Sequence, residues 1–190
     1  MVYLNLHTEE LDIGRALDKV SAGRRETALR YVRESDRRLS LAVYLLLQEA
    51  LEKEYGITAA PQFGFAPHGK PFLKDYSHIH FNLSHCRGAA LCVVSDSPVG
   101  CDIENVPDIP DMDICRQCFN DEETERIMQA PDPALAFISL WTRKEAFLKM
   151  TGEGLTRDLP ALLLSPRAAT ARFETVILPD TSLVYTICRP

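Results

Sequence analysis

No apolar run in this chain approaches the roughly 20 residues that a membrane-spanning helix needs. The start, M-V-Y-L-N-L-H-T-E-E-L, has neither the basic opening nor the long apolar core of a secretory signal. A cytoplasmic protein with no membrane partner is expected. Positive charge is not in excess, with 21 Lys and Arg against 27 Asp and Glu and a net charge of −6, which argues against general nucleic-acid binding. Zinc-site spacing is missing as well. Of six cysteines (Cys86, Cys92, Cys101, Cys115, Cys118 and Cys188) only Cys115-x-x-Cys118 is a close pair, with no second pair or His pair to complete it, so reduced and mostly buried thiols are expected. There is no low-complexity segment and no short-period repeat. What remains is an ordinary globular composition, 46% hydrophobic and 25% charged over 190 residues, enough for one large domain or two small halves.

The charge is unevenly placed. Arg24, Arg25, Arg30, Arg33, Arg37 and Arg38 fall in one short region, which in an acidic chain suits an anionic ligand or an acidic protein partner as well as a solvated helix face. Around this cluster the pattern predicts a strand at Val2–Leu6, helices at Glu9–Lys19 and Gly23–Arg33, and a long helix capped by Ser35 or Asp36 that runs to Tyr55 and closes at Gly56. His68-Gly69 and Pro71 mark a turn that holds Lys70 on a constrained loop. Strands follow at His80–Leu83 and Ala89–Ser95, and a boundary between an N-terminal half, 1–98, and a C-terminal half, 99–190, is expected. Beyond it, an irregular Pro- and Asp-rich connection precedes a helix opened by the Asn120/Glu123 capping box. Asp132-Pro133 starts a further helix that runs to Thr151 and stops at Gly152. Leu162–Leu164, Ala171–Leu178 and Leu183–Cys188 read as strands.

Two constellations carry chemistry. In V-G-C-D-I-E-N (Val99–Asn105), strand alternation puts Val99, Cys101 and Ile103 on one face and Gly100, Asp102 and Glu104 on the other. The two carboxylates then stand about 6–7 Å apart, and acids so placed resist ionising together unless a cation or strong donors intervene. A few oxygen ligands of this kind suit Mg²⁺ bound jointly with substrate phosphates. The second constellation is W-T-R-K-E-A-F-L-K-M on the helix ending at Thr151. There Lys144 falls inside the apolar stripe of Phe137, Leu140, Trp141, Phe147 and Leu148, where a charge needs a partner or a polar cavity. Glu145 and Lys149 sit four residues apart on its flank. Three carboxylates together with Lys70, Lys144, Lys149, His85 and the arginines suit a Mg²⁺–pyrophosphate substrate.

At these residues the chain resembles a known family. G-K-P (Gly69–Pro71), F-N-L-S-H (Phe81–His85), G-C-D-I-E (Gly100–Glu104) and W-T-R-K-E-A-F-L-K-M-T-G-E-G-L (Trp141–Leu155) are similar to the ordered motifs of phosphopantetheinyl transferases of the monomeric, two-lobed type that serves surfactin-like synthetases. The resemblance implies an α+β fold, a pseudo-twofold pair of similar lobes with the active site in the cleft between them. It implies transfer of the 4'-phosphopantetheine arm of coenzyme A to a serine of an apo acyl or peptidyl carrier protein, an acidic helical domain, with release of adenosine 3',5'-bisphosphate. Asp102, Glu104 and Glu145 would hold Mg²⁺. Glu145, or a base it orients, would take the serine proton, Lys149 would stabilise pyrophosphate charge, and Lys144 would help position it. Lys70, Ser84, His85 and, by looser alignment, Arg24 would contact the coenzyme. The arginine cluster would have a purpose in docking the carrier. Two other readings fit the same residues: a Mg²⁺-dependent pyrophosphate hydrolase acting on coenzyme A with water as nucleophile, and a protein that binds the coenzyme or a carrier without turnover.

Overall fold

The computed structural model describes residues 1–154 and 158–190; Leu155, the last residue of the fourth motif, lies outside the described residues. Strand β1 (Val2–Asn5) leads through a 3-10 turn at Thr8–Glu10 into α1 (Ile13–Lys19) and α2 (Ala22–Leu29). The helix expected from Glu9 is therefore broken, because Asp12 accepts from the Arg15 amide and starts a new helix in mid-stretch. Ser21 caps α2 in the same way, and α2 stops at Leu29 rather than Arg33. Helix α3 (Glu34–Tyr55) ends where Gly56 adopts φ 67° and returns its amide to Glu52. The short strands β2 (Phe63–Phe65) and β3 (Pro71–Leu73) form a hairpin across the His68-Gly69 turn. Strands β4 (His80–Cys86), β5 (Ala89–Ser95) and β6 (Gly100–Asn105) follow.

The connection after β6 is not wholly irregular. Asp111 accepts from the Asp113 and Ile114 amides and starts α4 (Met112–Cys118), whose inward cysteines Cys115 and Cys118 are buried. The Asn120/Glu123 capping box opens α5 (Asp121–Gln129), and Asp132 with Pro133 opens α6 (Pro133–Thr151). Leu162–Leu164 is a 3-10 turn, not a strand: Ser165 closes it through Leu162 O and then caps α7 (Pro166–Thr170), leaving no extended run to pair. Strands β7 (Arg172–Ile177) and β8 (Leu183–Arg189) complete the chain. Among the described residues no helix is long and apolar enough to cross a membrane.

Two antiparallel three-stranded sheets, ordered β1-β5-β4 and β6-β8-β7, stand face to face between the two long helices. Strand alternation explains the layering. Ala90, Cys92 and Val94 of β5 turn to Val43, Leu47 and Leu51 of α3, while Ala89, Leu91 and Val93 turn to Cys101 and Ile103 of β6 and to Leu183, Tyr185 and Ile187 of β8. On the far face of the second sheet, Val184 and Cys188 pack under α6. Each half thus lays one long helix on one small sheet, which is the pseudo-symmetric α+β arrangement implied by the motifs. Gly100 sets how closely α6 lies on β6. A Cβ built there would stand 2.0 Å from the Ala146 carbonyl oxygen and 2.3 Å from the Met150 nitrogen.

Candidate active site

Where the sheets meet, β6 has no ladder partner on its outer edge among the described residues, and side chains of β4 take that role. Asn82 and Ser84 share the inner face of β4; Asn82 Oδ1 accepts from the Cys101 amide at 2.8 Å and Ser84 Oγ from the Ile103 amide at 3.3 Å. The residue between those two amides is Asp102. Its Oδ1 accepts from Ser84 Oγ at 2.8 Å and from Lys149 Nζ at 2.5 Å, and the same ammonium also donates to Ser84 Oγ at 3.0 Å. The Ser84 hydroxyl is saturated by these bonds, one given and two received. Its other oxygen behaves differently: Asp102 Oδ2 is buried without any hydrogen-bond partner among the described residues.

A cavity of about 280 Å³ opens over this cluster, lined by Ser84, His85, Asp102, Glu104, Trp141, Glu145 and Lys149. A second, of about 240 Å³, shares Glu145 and Lys149 and extends past Asn82 to His68, Lys70, Gly152 and Gly154. The electrostatics are those of crowded acids. Burial, reinforced by the neighbouring Asp102 charge, pushes the Glu104 carboxyl up to about 7, and burial raises Glu145 as well, with Lys149 opposing. Burial works against the Lys149 ammonium, but the Asp102 charge and hydrogen bond outweigh it and its pKa rises. Burial, then Lys149, lowers His85, which favours the neutral ring.

A hard divalent cation suits this donor set: carboxylates lining a polar cavity, a buried Asp102 oxygen without a partner among the described residues, and two acids whose pKa burial raises. Among the described residues no three Asp, Glu, His or Cys side chains converge closely enough to ligate an ion unaided. Crowding also has a stability consequence. Below its ordinary value of 4.5 Glu104 is protonated whether the chain is folded or not; between there and about 7 the folded protein retains a proton that the unfolded chain has lost. Glu104 therefore contributes stability that is lost as pH rises through that window. With a chelator present, the denaturant midpoint should fall between pH 5 and pH 8, and Glu104→Gln should flatten that fall.

The structure unites some expected residues and separates others. Asp102, Ser84 and Lys149 touch, and Glu104, Glu145 and His85 line the same cavity. Lys70 borders the adjoining cavity, but its ammonium donates to Met150 O at 2.8 Å and Val99 O at 3.2 Å, tying its loop to the end of α6. Arg24 lines a separate cavity of about 360 Å³, where its guanidinium lies 5.0 Å from the Tyr44 ring centre and donates to Ser40 Oγ. Lys144 is a correction. Its side chain is 1% exposed, and its ammonium donates to Glu123 Oε2 at 2.8 Å and to Leu159 O at 2.7 Å, so it braces α5 against α6 and is spent there rather than in positioning pyrophosphate. The arginine cluster is largely occupied too, with Arg25 on Asp18, Arg30 on Glu26 and Arg38 on Glu34. Asn82 went unnoticed in the sequence, although its alternation with Ser84 was the available signal.

Comparison with known proteins gives the family. The family model for the 4'-phosphopantetheinyl transferase superfamily matches residues 98–187. A 4'-phosphopantetheinyl transferase of Bacillus subtilis is 31% identical over 182 residues, covering 94% of this chain and 80% of that protein. The chain belongs to the 4'-phosphopantetheinyl transferase superfamily. The 4'-phosphopantetheinyl transferase Sfp of Bacillus subtilis strain 168 is 26% identical over 183 residues, 95% of this chain and 80% of its own, and psf-1 of Bacillus pumilus is 31% identical over 164 residues, 85% and 69%. As a phosphopantetheinyl transferase, the chain is an enzyme of group transfer, and its Asp102–Ser84–Lys149 contact joins three of the four motifs that first suggested the family.

Proposed function

We propose that this transferase moves the 4'-phosphopantetheine of coenzyme A onto a serine of an apo acyl or peptidyl carrier protein, working in the cytoplasm as a monomer, with lobes 1–98 and 99–190 meeting at the active site. The serine oxygen bonds to the phosphorus that carries the pantetheine. The bridging P–O bond breaks, and adenosine 3',5'-bisphosphate leaves with the electron pair. What carries this reading is the Lys149–Asp102–Ser84 contact beside an orphaned Asp102 oxygen, opening on a cavity that Glu104 and Glu145 also line.

Asp102, Glu104 and Glu145 would hold Mg²⁺, which when bound supplies charge to pyrophosphate oxygens that repel an incoming nucleophile. The other roles belong to the chain itself. Lys149, fixed by Asp102, places an ammonium where leaving-group charge grows, and needs no reorganisation at the moment of reaction. Glu145, raised by burial, suits acceptance of the serine proton. Ser84, His85 and Lys70 line the adjoining cavities in which the coenzyme's phosphates would sit, and Arg24, in a separate cavity with its aromatic neighbours, would be a more distant cationic contact. In-line attack on phosphorus asks mainly for such positioning and charge neutralisation.

Intact-mass spectrometry of apo carrier proteins incubated with the enzyme, coenzyme A and Mg²⁺ tests the reading. A gain of one phosphopantetheine, absent when a chelator is added, is the expected result. Coenzyme cleavage with no gain on any carrier would replace transfer by hydrolysis, and neither cleavage nor gain would leave a binding protein.

A further inference from the structure

Asn82 is 6% exposed, and its neighbourhood decides which way its amide points. The Cys101 amide is a donor only, so the atom facing it at 2.8 Å must be the carbonyl oxygen Oδ1. The nitrogen Nδ2 is thereby turned away from β6 and has no acceptor among the described residues. Asn82 borders the cavity of about 240 Å³ whose other polar walls are Lys70, Lys149, His68 and Glu145. A donor on this cavity wall with no protein acceptor among the described residues is available to a ligand atom, which would exchange solvent for a fixed partner. The two lysines that line the same cavity make an anionic oxygen the suitable acceptor, and a neutral donor beside them adds direction without adding charge.

We infer that Asn82 is a substrate-positioning residue, with Oδ1 fixing the Cys101 amide beside Asp102 and Nδ2 donating to a phosphate oxygen of the bound coenzyme. The inference rests on the proposed coenzyme A reading and deepens it. A single amide then links the two halves of the site. The bond that sets the strand carrying the metal-type carboxylate also sets the donor that meets the phosphate, so the phosphate is placed relative to Asp102 through one rigid group.

The test follows the side-chain amide protons of the full-length protein by ¹⁵N–¹H NMR. The Asn82 pair is assigned by its disappearance in Asn82→Ala or, should that variant not fold, in Asn82→Asp, which retains the acceptor for Cys101. The pair is expected to shift when pyrophosphate or coenzyme A is added and to stay still with pantetheine, which has no phosphate. Calorimetric Kd for coenzyme A, measured without carrier, is expected to rise about tenfold in the variant, the usual effect of losing one hydrogen bond to a charged group. A merely structural role would lower thermal stability and leave the amide shift absent. An unmoved pair overturns the inference, as does a folded variant with wild-type affinity. If the wild-type protein binds neither pyrophosphate nor coenzyme A, the functional reading itself fails and this inference with it; if it binds both with the Asn82 pair unmoved, only the inference fails.

Discussion

Alanine at position 100 is expected to lower thermal stability by several degrees and transfer activity by about a hundredfold. The cause is backbone against backbone. The added methyl carbon would sit 2.0 Å from the Ala146 carbonyl oxygen, 2.3 Å from the Met150 nitrogen and 2.8 Å from the Met150 Cα, and none of these atoms can rotate away. Helix α6 must therefore retreat from β6 by about 1 Å to restore ordinary contact. Overpacking of this kind costs roughly 1–3 kcal/mol. At about 2–4 °C per kcal/mol for a chain of this size, a thermal melt reads it directly. The activity loss is the larger effect, because the same retreat separates Lys149 and Glu145 on the helix from Asp102 on the strand, and about 1 Å of misplacement can cost 10²-fold. Wild-type activity in a folded Gly100→Ala protein would show that the helix–strand distance does not set the chemistry.

Asp102→Asn is expected to be still more damaging to catalysis, by at least about 10³, although the side chain keeps its shape and its seat against Ser84. Two functions go with the charge. Lys149 loses the counter-ion 2.5 Å away that holds its ammonium in place, and the buried oxygen without a protein partner ceases to be an anionic ligand. Removing one partner of a buried pair costs about 3–5 kcal/mol, and the partial exposure of Lys149 moves the expected loss to about 2 kcal/mol. Titrating Mg²⁺ into each protein during thermal melts separates the two functions. Binding to the folded state raises the wild-type midpoint, by about 2.7 kcal/mol of stabilisation at a hundred times Kd, and no such rise is expected in the variant. A variant that responds to Mg²⁺ as the wild type does would remove Asp102 from the ligand set.

These expectations draw unequally on what the sequence discloses. Period-two alternation along Val99–Asn105 already put Asp102 and Glu104 on one face and Cys101 and Ile103 in the core, because a buried strand admits no other register. Helical spacing likewise exposed Lys144 as a charge in an apolar stripe, but not its partner: Glu123 lies on another helix and also completes a capping box, which fully explains its presence locally. The contact of Lys149 with Asp102 spans 47 residues and depends on Gly100 letting α6 settle onto β6, a distance that no periodicity encodes. Helix α4 was illegible for the opposite reason, since seven residues bounded by Asp111 and Phe119 are too few to establish a period. The aromatic setting of Arg24 is likewise absent from local sequence, since Tyr44 and Phe63 come to it from α3 and β2.

Strand β5 is buried on both faces, by α3 on one side and by β6 and β8 on the other. The two sheets consequently depend on each other for cover. Separated, the first would carry a naked aliphatic sheet and the second its matching face, each inviting self-association. The seam that aligns Asn82, Ser84 and Asp102 joins strands from both halves, so the site is assembled by the closing of the whole chain and not by either half.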